Sequence, residues 1–280
     1  MSSSTPKKVG RPRPALFRAL GKQDPPSVVE IEGHPHHLVE VLKHDSWAAT
    51  ATYQGSRGLI VCKFHRQQRI GLLPMRWFGR WMARHEAEFY HRLDGNRHLP
   101  ELIPEVKVNG EIQRHVLAHT FVPGRPLKCR EKVADHFFPE LEELLQAMHK
   151  EGMAYVDLHK PENIIVGEDD SPYLIDFQIS YYSSRNWWAK WSPMRIWLHY
   201  LQKSDVYHLR KHYARCRPDQ CGYDSEQIAK HRPWWIRLHR MLFVPVRTAR
   251  RRLLVLLGIR RGKGRVTSEH FAEDAVRRAA

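Results

Sequence analysis

Asp157, Asn163 and Asp176 stand in one short stretch, DLHKPENIIVGEDDSPYLIDF. There a polar loop runs into an apolar strand, turns at Gly167-Glu168-Asp169-Asp170 and returns as a second apolar strand. Two adjacent strands bring their polar ends together, so a carboxylate base and two oxygen ligands for a divalent ion can converge. That set suits phosphoryl transfer from ATP, which asks for positioning more than covalent work: a carboxylate orients the attacking hydroxyl while Mg2+ neutralises the phosphates. Upstream, Lys63 ends the apolar strand LIVCK, and Glu86 lies on the following helical stretch where the partner of a phosphate-binding lysine is expected. Glu86 is preferred to Glu88 because Tyr90 at +4 and Leu93 at +7 then fall on the apolar face. Taken alone, Lys63 and Glu86 read as solvated charges and Asp157 or Asn163 as turn formers. Only the ordered set carries the chemistry.

The elements that must position these residues are legible as a sheet followed by helices. LVEVL, ATATY and LIVCKF between 38 and 64 read as hairpin-connected strands, with Gly55-Ser56-Arg57-Gly58 as a turn. Residues 77–94 carry a helical pattern, with Trp77, Trp81, Phe89, Tyr90 and Leu93 on the apolar positions. EIQRHVLAHTF reads as two short strands ending at Val122-Pro123-Gly124-Arg125-Pro126, a connector between two lobes. Phe137, Leu141, Leu144, Leu145 and Met148 then follow the spacing of a helix buried along one face.

AYVDLHKPENIIV followed by YLIDFQ resembles the catalytic and metal-binding loops of the protein-kinase-like superfamily, in particular its atypical bacterial branches: RIO-type kinases and the lipopolysaccharide kinases that phosphorylate Kdo or heptose. The likeness covers roughly residues 38–212. It implies an α+β, two-lobed protein-kinase-like fold, a small antiparallel sheet lobe plus a mostly helical lobe, with ATP between them. It further implies Asp157 as catalytic base, Asn163 and Asp176 as Mg2+ ligands, and Lys63, paired with Glu86, on the α- and β-phosphates. Lys160 would approach the γ-phosphate, and Asp205 would anchor the catalytic-loop backbone.

Four departures qualify the likeness. The phosphate-covering loop is Asp45-Ser46-Trp47-Ala48-Ala49-Thr50, without glycine, so any amides offered to phosphates come from Ser46, Ala48 and Ala49. Asp157 to Asn163 is one residue longer than the family spacing, which predicts a bulge at His159 or its neighbour. Tyr155-Val156-Asp157 replaces His-Arg-Asp, and no Ala-Pro-Glu segment follows Ser180, which removes the usual peptide-docking platform and favours a small or lipid-borne acceptor.

At 280 residues and 42% apolar composition the chain can bury a core. Residues 1–27 read as a disordered basic tail, 28–122 as the N-lobe, 123–225 as the C-lobe, and 226–280 as a basic, Trp/Arg-rich helical extension. The four cysteines form no CxxC pair and read as free thiols rather than a zinc site at Cys216 and Cys221. With no apolar run suited to a signal peptide or a membrane span, the reading places the chain in the cytoplasm, peripheral on the inner membrane face. The net charge of +16 favours phosphate-bearing partners. Twelve Lys or Arg and no acid lie between Glu226 and Glu269. Residues 230–265 and Trp187, Trp188 and Trp191 are therefore expected to meet an anionic membrane, unless the same apolar groups simply pack the lobe. Nucleic acid ranks last, since no recognised module is present. The acceptor is expected to be a glycolipid, the alternatives being a RIO-type serine/threonine protein kinase and a pseudokinase interaction module.

Overall fold

The computed structural model describes residues 14–183 and 193–222, with single positions at 227, 228, 241, 245, 248, 249, 252 and 255. Trp187, Trp188, Trp191 and most of the basic stretch after Glu226, including Trp234, Trp235, Leu238, Leu242 and Phe243, lie outside the described residues.

The first lobe is an eight-stranded antiparallel sheet built from β1 (Val28–Ile31), β2 (His34–His44), β3 (Ala48–Gly55), β4 (Gly58–His65), β5 (Leu102–Ile103), β6 (Lys107–Val108), β7 (Glu111–Ile112) and β8 (Val116–Thr120), in the order β5-β8-β4-β3-β2-β1-β6-β7. Strand β4 is buried from Ile60 to His65 because β3 and β8 flank it and the helix α1 (Arg76–Arg92) packs across it. Its register sets Lys63 opposite Thr50 on one side and Leu117 on the other. Gly79 is required on the buried face of α1, since a Cβ there would overlap the Arg66 carbonyl oxygen. The helix can therefore approach β4 closely, which brings Glu86 within reach of Lys63.

The second lobe contains β9 (Gly124–Pro126), α2 (Phe137–Lys150), β10 (Met153–Ala154), β11 (Ile164–Gly167), β12 (Pro172–Leu174), β13 (Tyr181–Tyr182) and α3 (Pro193–Cys216). Phe137, Leu141, Leu144, Leu145 and Met148 are each 1% exposed or less and form one face of α2, as their spacing predicts. Full burial of such a side chain contributes about 1.5–3 kcal/mol. Phe89, Tyr90 and Leu93 from the end of α1 join this core, so α1 is held by both lobes. The connector after Val122 does more than link them: Gly124–Pro126 pairs with β11.

Three expectations change. Residues 14–27 are not wholly a disordered tail: Ala19 is fully buried, its amide donates to Asp45 O at 2.7 Å, and Arg66 reaches Leu16 O at 3.0 Å. Trp77 and Trp81 lie on α1, but on its exposed side, 59% and 51% accessible, because Gly79, Met82, Ala83, Glu86, Phe89 and Tyr90 supply the buried stripe. The returning strand YLIDF stops at Leu174, and Asp176 takes a left-handed φ of 64° that a ladder does not accommodate.

Candidate active site

Lys63 Nζ lies 2.9 Å from Glu86 Oε1 and 2.6 Å from Asp176 Oδ1. One buried ammonium thus ties a strand, a helix of the same lobe and a loop of the other lobe. Burial opposes the charged form of Lys63, but Asp176 and Glu86 outweigh it and raise its pKa. Burial pushes the Asp176 carboxyl up, yet the charge and hydrogen bond of Lys63, with smaller contributions from Lys160 and Lys43, hold it at about 2. The same contest lowers Glu86: burial raises it, while Lys63 and the neighbouring His65, whose Nε2 is 3.4 Å from Glu86 Oε2, bring it down. All three groups are therefore charged at neutral pH.

A second cluster surrounds Asp157. Lys160 Nζ donates to its Oδ2 at 2.6 Å, Asn163 Nδ2 donates to the same oxygen at 3.1 Å, and His159 Nδ1 lies 3.1 Å from Oδ1. After Asp157 the loop makes a tight turn, Lys160 N to Asp157 O, followed by a 3-10 turn at Pro161–Asn163, while Leu158 is buried. His159 projects at the surface. The two clusters adjoin because Ile164 pairs with Leu174 and the Ile175 amide donates to Asn163 O at 3.2 Å, which leaves Asp176 as the next residue.

The backbone just before Asp157 is strained. Val156 has φ 69°, costly for a β-branched residue. Buried Asp205 on α3 holds it there, accepting the Tyr155 amide at 2.7 Å and the Val156 amide at 2.8 Å. Ser180 Oγ donates to Tyr155 O, and His212 Nε2 lies 2.8 Å from Leu158 O, so α3 and the loop after Asp176 brace both ends of the turn. Burial raises the Asp205 pKa, and His149 and the two amides offset that in part.

The glycine-free loop departs from expectation. Asp45 Oδ1 accepts the amides of Trp47 at 2.7 Å and Ala48 at 3.0 Å, and Ala49 is paired in the ladder with His44 and Phe64. Ser46 Oγ donates to Phe17 O, and its carbonyl accepts from Arg66. The Ala48 amide is thus already taken, a correction to its expected role beside phosphates. An aspartate two and three residues before amides caps them whenever the turn permits, a local signal that was present in Asp45-Ser46-Trp47-Ala48. Lys43, also missed, bonds Asp45 Oδ2 at 3.0 Å and adds positive potential at Asp176.

Asn163 and Asp176 fit a Mg2+ ion. Lys63 donates to Asp176 Oδ1, and Asn163 donates its amide nitrogen to Asp157, so Asp176 Oδ2 and the single carboxamide oxygen of Asn163 are the atoms that would meet the ion. Among the described residues no group of three or more His, Cys, Asp or Glu forms a cage, and Mg2+ needs none, since phosphate oxygens and water complete its shell.

A lysine clamped between a helix glutamate and a loop aspartate, next to an aspartate-asparagine loop hung from a buried helix aspartate, is the arrangement that the sequence resemblance implies. The fold resembles that of protein kinases. No family model matches this chain, and no curated protein matches it. It is similar to two crystal structures of the Rio2 kinase from Chaetomium thermophilum. The ADP/Mg2+-phosphoaspartate complex is 18% identical, with a TM-score of 0.47, over 64% of this chain and 55% of that one. The second is 17% identical, with a TM-score of 0.45, over 70% of each chain. The chain therefore spans little more than half the length of the first.

Proposed function

We propose that the chain is an ATP- and Mg2+-dependent phosphotransferase whose acceptor is a hydroxyl on a membrane-associated glycolipid, such as a lipopolysaccharide core sugar. The observation that carries the reading is Lys63 held between Glu86 and Asp176, a fixed charge poised for the α- and β-phosphates, beside Asp157 and Asn163. Mg2+, held by Asn163 and Asp176, supplies charge neutralisation of the phosphates when bound. Lys63 orients the nucleotide and Lys160 faces the γ-phosphate. Asp157 accepts the proton of the acceptor hydroxyl, whose oxygen attacks the γ-phosphorus as the bond to the ADP oxygen breaks. For that step Lys160 shifts from Asp157 Oδ2, its present partner at 2.6 Å, toward the phosphate. A lipid-borne acceptor is favoured by the missing Ala-Pro-Glu segment after Ser180 and by the net charge of +16.

The test is incubation of wild type and Asp176→Ala with γ-labelled ATP, Mg2+ and separate lipid and protein fractions from the source cell. Label entering lipid only with wild type is the expected result. Label entering protein instead favours the RIO-type reading, and no Asp176-dependent label despite nucleotide binding leaves an interaction module.

A further inference from the structure

The outer face of α1 and the turn before it expose apolar groups that the catalytic reading does not use. Leu72 is 90% accessible, Leu73 54% and Ile70 44%, beside Trp77 and Trp81. This is a preformed tip: Ile70 and Leu73 exchange both backbone hydrogen bonds, at 3.1 and 3.0 Å, around Gly71 at φ 57°. Buried Arg66 fastens its base by donating to Arg69 O at 3.3 Å and Leu16 O at 3.0 Å. On α1 the helical period sets Arg80 and Arg84 on the same outward arc as Trp77 and Trp81, opposite the stripe that carries Glu86. Arg69, Arg76, Arg80 and Arg84 are all exposed. No acidic residue lies between Asp45 and Glu86, Glu86 itself is buried against Lys63, and the next acid on the helix, Glu88, is bonded to Arg92 at 2.8 Å.

We infer that this face, the Ile70–Leu73 tip with Trp77, Trp81 and the four arginines, docks on an anionic lipid bilayer. Clustered exposed apolar groups mark interaction sites. The charge complements an anionic surface, aliphatic residues at a rigid tip enter the acyl boundary, and tryptophans settle at headgroup depth beside arginines. Single-stranded nucleic acid fits less well: its bases stack on Trp77 and Trp81 but leave the aliphatic Leu72–Leu73 tip in water. The Trp47 ring, in the turn between β2 and β3, stands 5.9 Å from that of Phe78 on α1, so docking brings the glycine-free loop beside the lipid surface. The inference stands apart from phosphate transfer and concerns residues other than the basic stretch after Glu226.

The full-length chain is tested by flotation with vesicles of phosphatidylcholine alone and of phosphatidylcholine mixed with phosphatidylglycerol. Wild type floats with the anionic vesicles, less so as salt rises. Leu72→Ser/Leu73→Ser lowers the partition about tenfold or more, and Arg80→Gln/Arg84→Gln lowers it several-fold, both with unchanged circular dichroism, whereas Asp176→Ala floats like wild type. Equal partition of the Leu72→Ser/Leu73→Ser variant and wild type overturns the inference. A bimane label on Leu72→Cys, in a Cys129→Ser background because Cys129 is the exposed native thiol, reports the tip directly. A blue shift on adding anionic vesicles supports insertion. No shift, or a shift with a single-stranded oligonucleotide but not with vesicles, rejects it.

Discussion

Asp205→Ala removes at once the acceptor of two backbone amides, the buried one of Tyr155 and the half-buried one of Val156. Tyr155 N and Val156 N, at 2.7 and 2.8 Å, each lose a charge-assisted bond, and stranding a buried donor costs about 1–3 kcal/mol. Part of the sum returns, because burial opposes the Asp205 charge, the direction of its raised pKa, and the variant carries no charge there. The left-handed Val156, itself strained by about 1–3 kcal/mol, also relaxes once unheld. A net loss of about 2–4 kcal/mol follows. Asp205→Asn keeps one carbonyl oxygen and loses about half as much. Relaxation at Val156 displaces the adjacent Asp157, and a shift of about 1 Å in a catalytic group costs about a hundredfold in rate. Urea denaturation followed by circular dichroism reads the first effect, and phosphate transfer by the folded protein reads the second. A stability loss below about 1 kcal/mol, or full activity in Asp205→Ala, refutes the brace.

Three further outcomes follow from the same geometry. Lys63→Met leaves Glu86 and Asp176 without their shared cation and destabilises by about 3–5 kcal/mol. Adding Glu86→Leu recovers much of this in a thermal melt but not nucleotide binding, and recovery of both contradicts the role of Lys63. Gly79→Ala pushes α1 from the Arg66 carbonyl, costs about 1–3 kcal/mol of stability in urea and weakens ATP affinity by parting Glu86 from Lys63; a neutral variant argues against this close approach. Burial holds His115 and His212 at about 4, below their ordinary 6.5. The unfolded chain then takes up protons first, so their neutral burial costs nothing above 6.5, and stability falls as pH drops from there toward about 4, by about 2 kcal/mol for each at pH 5. Equal urea midpoints at pH 7 and pH 5 would count against it.

Local pattern made β4, α2 and the polar loop ends legible, because one-sided or complete burial writes a period into the residues themselves. Pattern does not say whether an apolar stripe finds a partner. Trp77 and Trp81 repeat at helical spacing with Phe89 and Tyr90, but only the latter two meet the core shared by both lobes. Long-range partners were equally hidden. Residues 14–27 look unable to bury anything, and their order comes from Asp45 and Arg66, far along the chain. Within the site, Lys63, Glu86 and Asp176 are in contact, and Lys160 and Asn163 converge on Asp157. Of the loop residues, Ala48 has its amide taken by Asp45. That capping depends on a turn conformation that small side chains permit but do not dictate.

In the proposed function the Lys63–Glu86–Asp176 cluster and the Asp157–Asn163 loop make one site for Mg2+ and the phosphates of ATP. It is tested most directly by calorimetric titration of ATP into wild type and Asp176→Ala, each with Mg2+ and with EDTA. Mg2+ is expected to tighten ATP binding to wild type about tenfold or more and to leave Asp176→Ala unchanged. Equal affinity of wild type with and without Mg2+, or the same Mg2+ gain in the variant, would contradict it.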